Sequence, residues 1–133
     1  MAYEDLEFGQ TYEFTRTITA DDVRAFAELS GDFNPVHFDA EFAATTIFKK
    51  PVVHGMLVGA LISKALASDL PGPGTVYLKQ ELKFLKPVFH DDEIRIALKI
   101  VDLNHAKKLA TIDTQAWVGE KQVVAGSALV TVM

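Results

Sequence analysis

The ten residues SGDFNPVHFD, Ser30 to Asp39, set an aspartate and a histidine five positions apart, Asp32 and His37, with Asn34-Pro35 between them. A carboxylate and an imidazole have unperturbed pKa values of about 3.9 and 6.5, so both can take a proton from water near neutral pH. The same residues also make good turns, because Asp and Asn side chains bond to nearby backbone N–H groups and Asn-Pro is a common turn dipeptide. On loop chemistry alone, a structural turn and an acid–base site stand side by side. A calcium loop does not fit: Asp32 and Asn34 occupy its first and third positions, but His37 stands where it needs glycine and Ala43 where it needs glutamate. A metal site built from His37, Asp39 and His54 has no specific spacing to support it, and no metal is expected.

The elements that must position this loop read clearly. Tyr12, Phe14 and Ile18 share one face of a strand in TYEFTRTI. Thr19 with Asp22 three positions on resembles a capping box, and Val23, Phe26, Ala27 and Leu29 continue it as an amphipathic helix that Gly31 stops. After the loop, Asp39 caps a short helix holding Phe42, Ala43 and Ala44. From about Gly55 to Ser68 the chain is apolar around most of a helical circumference, which predicts a helix in the middle of the fold, ended by Leu70-Pro71-Gly72.

The remainder reads as β. Val76, Leu78, Leu82 and Phe84 alternate with Lys79, Glu81 and Lys83, and Ile94, Ile96, Leu98 and Ile100 alternate with Glu93, Arg95 and Lys99. Two further strands are predicted from about Leu109 to Val118 and from Gln122 to Val132. Short turns between the last four strands predict antiparallel neighbours. One apolar helix with such strands predicts an α+β hotdog fold, a curved antiparallel sheet wrapped around the helix. Long edge strands are usually paired, so a homodimer through the sheet edges is expected.

With 133 residues the chain is expected to form a single domain, residues 1–133. Its formal net charge of -5 gives no general attraction to phosphate backbones, so nucleic-acid binding is not expected. The absence of cysteine removes disulfides, zinc-thiolate sites and thiol nucleophiles and fits a reducing compartment. MAYEDLEFG lacks the basic start and apolar stretch of a signal peptide, and Met56 to Ile62 is far short of the roughly 20 residues that span a bilayer. A cytoplasmic protein without membrane association is expected.

FAELSGDFNPVHFDAEFA, Phe26 to Ala43, resembles the signature of the MaoC-like, (R)-specific enoyl-CoA hydratases: an aromatic residue, two positions, Leu-Ser-Gly-Asp, one position, Asn-Pro-Val-His, five positions and a small residue. Every specified position is met, and the resemblance extends through HGML to the closing strands. It implies a hotdog fold and hydration of trans-2-enoyl-CoA to the (R)-3-hydroxyacyl-CoA, with fatty acid metabolism and polyhydroxyalkanoate precursor supply as settings. The coenzyme A thioester is then the substrate, and no cofactor is implied.

By this resemblance Asp32 and His37 are the catalytic pair, holding one water between two acceptors. Gly55, at the helix start where backbone N–H groups lack partners, is the oxyanion donor. Ser63, two turns further along the helix, supports the aspartate; its alternative is a hydroxyl bonded to its own preceding turn. Asn34, restricted by Pro35, shapes the loop, and His54 reads as structural. Lys49, Lys50, Lys83 and Lys86 are candidates for the coenzyme A phosphates.

Three other functions compete. Thioesterases of this fold commonly carry a carboxylate on the long helix, and Gly55 to Ser68 has none. A 3-hydroxyacyl-ACP dehydratase would run the same pair in reverse, and a non-catalytic acyl-CoA binding module would bind without turnover.

Overall fold

The computed structural model describes residues 1–133. Strand β1 (Thr11–Thr17) leads into α1 (Ala20–Ser30), the short α2 (Ala40–Ala44) and the long α3 (Gly55–Ser68); β2 (Thr75–Phe84), β3 (Glu93–Asn104), β4 (Leu109–Val118) and β5 (Lys121–Val132) complete the chain. One antiparallel sheet in the order β1-β3-β4-β5-β2 packs against α3. This is the hotdog arrangement, with α3 as the helix inside the curl.

The elements form where local chemistry directs. Thr19 and Asp22 close the capping box on α1, with Oγ1 of Thr19 accepting from the Asp22 N–H at 3.2 Å. Gly31 ends the helix at φ 83, a left-handed conformation that glycine adopts without a Cβ clash. Oδ1 of Asp39 accepts from the N–H groups of Glu41 and Phe42 at the start of α2. Ile94, Ile96, Leu98 and Ile100 point from β3 into a core that Ile112 and Ala116 of β4 and Val58, Ile62 and Leu66 of α3 complete. Register shifts interrupt the pairing at Leu78 of β2, Val101 of β3 and Val123 of β5, places where a strand bends locally.

Two expectations are corrected. β2 and β3 are not neighbours: β2 pairs with β5 at the far edge, while β3 pairs with β1 and β4. The connection 85–92 crosses from one side to the other because its own backbone is held on the way. Val53 donates to the Val88 carbonyl at 2.7 Å, and Asp91 donates to Ile18 at 2.7 Å. This crossing fastens the entry of α3 to the end of β1.

Nor is α3 enclosed on all sides. Val58, Leu61, Ile62, Ala65 and Leu66 are buried, but Met56 is 60 % exposed and Gly59, Ala60 and Ser63 face a groove beside β2. Leu78 and Phe84 of β2 are likewise 50 % and 53 % exposed. The apolar face of β2 is not the buried sheet face that its alternation predicts, because β2 is an edge and a register shift at Tyr77/Lys79 interrupts its pleat.

Candidate active site

The loop after α1 is shaped by its own side chains. Ser30 Oγ donates to the Phe26 carbonyl at 2.7 Å and accepts from the Asp32 N–H at 3.1 Å. Asp32 Oδ1 accepts from the Asn34 N–H at 3.2 Å, and Asn34 Oδ1 accepts from the Val36 N–H at 3.2 Å, at the start of a single 3₁₀ turn, Pro35–His37. The candidate acid–base pair is therefore carried on a structural turn. One Asp32 oxygen shapes the turn and Oδ2 remains uncommitted.

His37 sits at the end of that turn and is 8 % exposed. Its Nδ1–H donates to the Val52 carbonyl at 2.8 Å, since a carbonyl can only accept. That fixes the tautomer and leaves Nε2 with a lone pair. Burial is the main reason the His37 pKa lies below its usual value; the Val52 carbonyl opposes this, His54 adds to it, Asp32 opposes it and His90 adds to it. The ring is thus a neutral base at neutral pH.

His54, the residue that precedes α3, is 2 % exposed. Its Nε2–H donates to the Asp32 backbone carbonyl at 3.0 Å, and its ring stacks on that of His37 with centroids 3.8 Å apart. A carboxylate oxygen of Asp32 and one ring nitrogen of each histidine lie within 4.8 Å of one another. A water donating to two acceptors spans about 4.5 Å, so Asp32 and His37 are near enough to share one water. Each imidazole commits one nitrogen to a backbone carbonyl, and the two rings are inclined by 25°. Asp39, the carboxylate in the sequence-based metal set, is instead the cap of α2.

Gly55 opens α3, and no acceptor within the chain receives its N–H. The helix dipole and the unpaired amide together favour a negative oxygen there. The absence of a Cβ matters at this position, because an ideal one would lie 2.7 Å from the Phe84 ring. Asp32, Asn34, His37 and Gly55 line one cavity of about 580 Å³, whose other walls include Val53, Val58, Val88 and Val124. It therefore offers a neutral base, a carboxylate and a backbone donor around an apolar space.

Ser63 does not join this group. It lines the groove between α3 and β2 and forms no hydrogen bond with Asp32 within the chain. Eight residues of helix turn by about 80° beyond two full turns and advance about 12 Å, so the two-turn spacing does not put Ser63 beside Gly55. Of the four lysines, Lys86 lines the cavity and Lys50 lies over the Phe89 ring at 4.3 Å. Sequence reasoning read His54 as structural and did not foresee its contacts with Asp32 and His37. The available signal was a histidine inside the apolar run VVHGML, where burial requires its nitrogens to find partners.

Comparison with known proteins bears on the fold and the family. Residues 5–124 match the family model described as MaoC like domain. The chain is 44% identical over 131 residues to an (R)-specific enoyl-CoA hydratase of Aeromonas caviae, covering 98% of each chain. It is 39% identical over 130 residues to a 3-hydroxybutyryl-CoA dehydratase of Methylorubrum extorquens, covering 98% of this chain and 83% of that one. The structure of the Aeromonas caviae (R)-hydratase involved in PHA biosynthesis superposes with a TM-score of 0.94 at 43% identity, covering 98% of this chain and 99% of that one. With a matching fold, a family model over residues 5–124 and relatives along nearly its whole length, the chain belongs to the MaoC-like domain family.

Proposed function

We propose that this protein hydrates trans-2-enoyl-CoA to (R)-3-hydroxyacyl-CoA, using Asp32 and His37 to activate one water and the Gly55 amide to hold the thioester oxygen. The observation that carries the reading is the convergence of the uncommitted Asp32 oxygen, the His37 Nε2 lone pair and the unpaired Gly55 N–H on one apolar cavity. Water oxygen attacks Cβ and loses a proton to one acceptor. Electron density moves onto the thioester oxygen beside Gly55, and a proton is returned to Cα on the same face, leaving the enzyme unchanged. This is acid–base chemistry and calls for no cofactor. Dehydration is the same path reversed, and the relatives carry names of both directions.

The rival reading as a thioesterase loses support, because α3 carries no carboxylate and Asp69 beyond its end is paired to Lys64 at 2.9 Å. The open α3 face, where Ser63 lies, bears on the oligomeric state. The exposed Met56, Leu78 and Phe84 beside an unpaired β2 edge favour a homodimer formed there. No helix is long and apolar enough to cross a membrane, and a cytoplasmic site of action is part of the proposal.

Purified protein should bleach the conjugated-thioester absorbance of crotonyl-CoA without added metal, and chiral analysis should return the R product. An S product, or thiol release in place of hydration, contradicts the proposal. The same assay with crotonyl thioester on acyl carrier protein separates the two carriers.

A further inference from the structure

We propose that His54 is a positioning residue for this reaction: its Nε2–H holds the backbone of Asp32, its ring face holds the His37 imidazole, and its own backbone ends where the Gly55 donor begins. The inference rests on the hydratase reading and assigns a role to a buried histidine that the chemistry above leaves unused.

The loop's hydrogen bonds explain why such a residue is needed. Ser30, Asp32 and Asn34 bond to atoms within four residues of themselves. Those bonds fix the loop's shape but not its place relative to α3. The His37 end is placed by Val52, which donates to the Val36 carbonyl at 3.1 Å and accepts from the His37 ring at 2.8 Å. At the Asp32 end the tie is the 3.0 Å bond from His54 to the Asp32 carbonyl. Since His54 directly precedes Gly55, one residue sets the distance between the carboxylate and the oxyanion donor.

Plain packing does not account for it. The Asp32 carbonyl can only accept, so the proton of a neutral His54 resides on Nε2 and Nδ1 is bare. Nδ1 is buried and has no partner. A leucine or phenylalanine would fill the space between Phe26, Phe38 and His37 without orphaning a nitrogen. The other charged or titratable groups near the stacked pair are Asp32 from the loop, His90 from the 85–92 connection, Lys86 in the cavity wall and Arg24 of α1, whose guanidinium lies 5.5 Å over the Phe38 ring. Of these neighbours His54 and His90 oppose protonation of His37, and Asp32 favours it.

Two variants separate the donor from the ring. His54→Phe keeps an aromatic stack and loses the N–H; His54→Gln keeps an N–H within reach and loses the stack. With both folded by thermal melt, His54→Phe should lower kcat on crotonyl-CoA by on the order of 10²-fold with little change in KM, as a small misplacement of reacting groups does. His54→Gln should recover most of that loss. In both, the acidic limb of kcat/KM should move to higher pH as the His37 ring loses a neighbour that opposes its protonation. Equal or greater activity in His54→Phe than in His54→Gln, with an unmoved limb, overturns the proposal.

If neither variant folds, ¹⁵N spectra of the wild-type imidazoles decide it. A protonated Nε2 with a bare Nδ1 on His54 supports the assignment, and the opposite tautomer contradicts it. Because the tautomer is read without substrate, failure of the positioning role stays distinct from failure of the hydratase reading, which would appear as inactive wild-type protein.

Discussion

The loop Ser30 to Asp39 and the start of α3 face each other across one cavity and are built by opposite means. The loop is polar, mostly exposed and stitched by side chains to its own backbone, and it supplies acceptors. The helix start is flanked by the buried Val53 and His54 and leaves an amide without a partner, and it supplies a donor. Acceptors come from side chains that turn chemistry holds still, whereas the donor comes from backbone that helix geometry leaves unsatisfied. A reaction that moves a proton on one side and gathers negative charge on the other needs both.

The acceptor side should break first. Asp32→Asn and His37→Gln, each with its fold retained by circular dichroism, should lower crotonyl-CoA hydration by about 10²–10⁴-fold, the range for a general acid–base group. Near-wild-type turnover in either removes it from the pair.

The donor side needs a subtler change, because a backbone N–H cannot be deleted by most substitutions. Gly55→Pro does so at the first position of a helix, where proline is tolerated, and His54 with ψ 131 has the extended backbone that precedes proline. Gly55→Ala is its control, since both bring a Cβ toward the Phe84 ring. The proline variant should be slower than the alanine variant by on the order of 10²-fold in kcat. Equal rates would take the oxyanion role away from Gly55.

How the two regions were read from sequence differs for a physical reason. The loop was legible because turn and capping chemistry acts over two or three residues: Asn34-Pro35, Gly31 and Asp39 do in the structure what their types predict. The span of α3 was legible from hydropathy alone. What failed was tertiary. The β2–β5 pairing joins strands distant in sequence, and nothing local in Leu85 to Asp92 announces a crossing. The Ser63 placement needed the helical phase rather than the number of turns. The stacking of His54 on His37 joins the loop to the residue before α3, a contact that no local pattern announces. Hence the donor side, assembled from remote segments, was half legible and the acceptor side almost fully so.

Smaller effects sharpen the contrast. The depressed His37 pKa predicts that the acidic limb of kcat/KM lies below about 6.5, the usual histidine value, because the free enzyme must carry a neutral ring. Linkage has the same sign: an unfolded chain takes up that proton first, so stability falls as pH drops below about 6.5, which thermal melts across pH 5 to 8 would follow. A limb above that value would mean that His37 is not held in its base form. Asp39→Ala removes the α2 cap and should cost about 1 kcal/mol in urea unfolding while leaving kcat within a few-fold, because Asp39 shapes the loop's far end and touches neither acceptor.

The most direct measurement is the double variant Asp32→Asn/His37→Gln assayed beside the two single variants. If the two side chains act on one water as a unit, removing the second costs little more than removing the first, and the double variant turns over at about the rate of the slower single. Losses that multiply would show two independent groups and contradict the shared water on which the assignment depends.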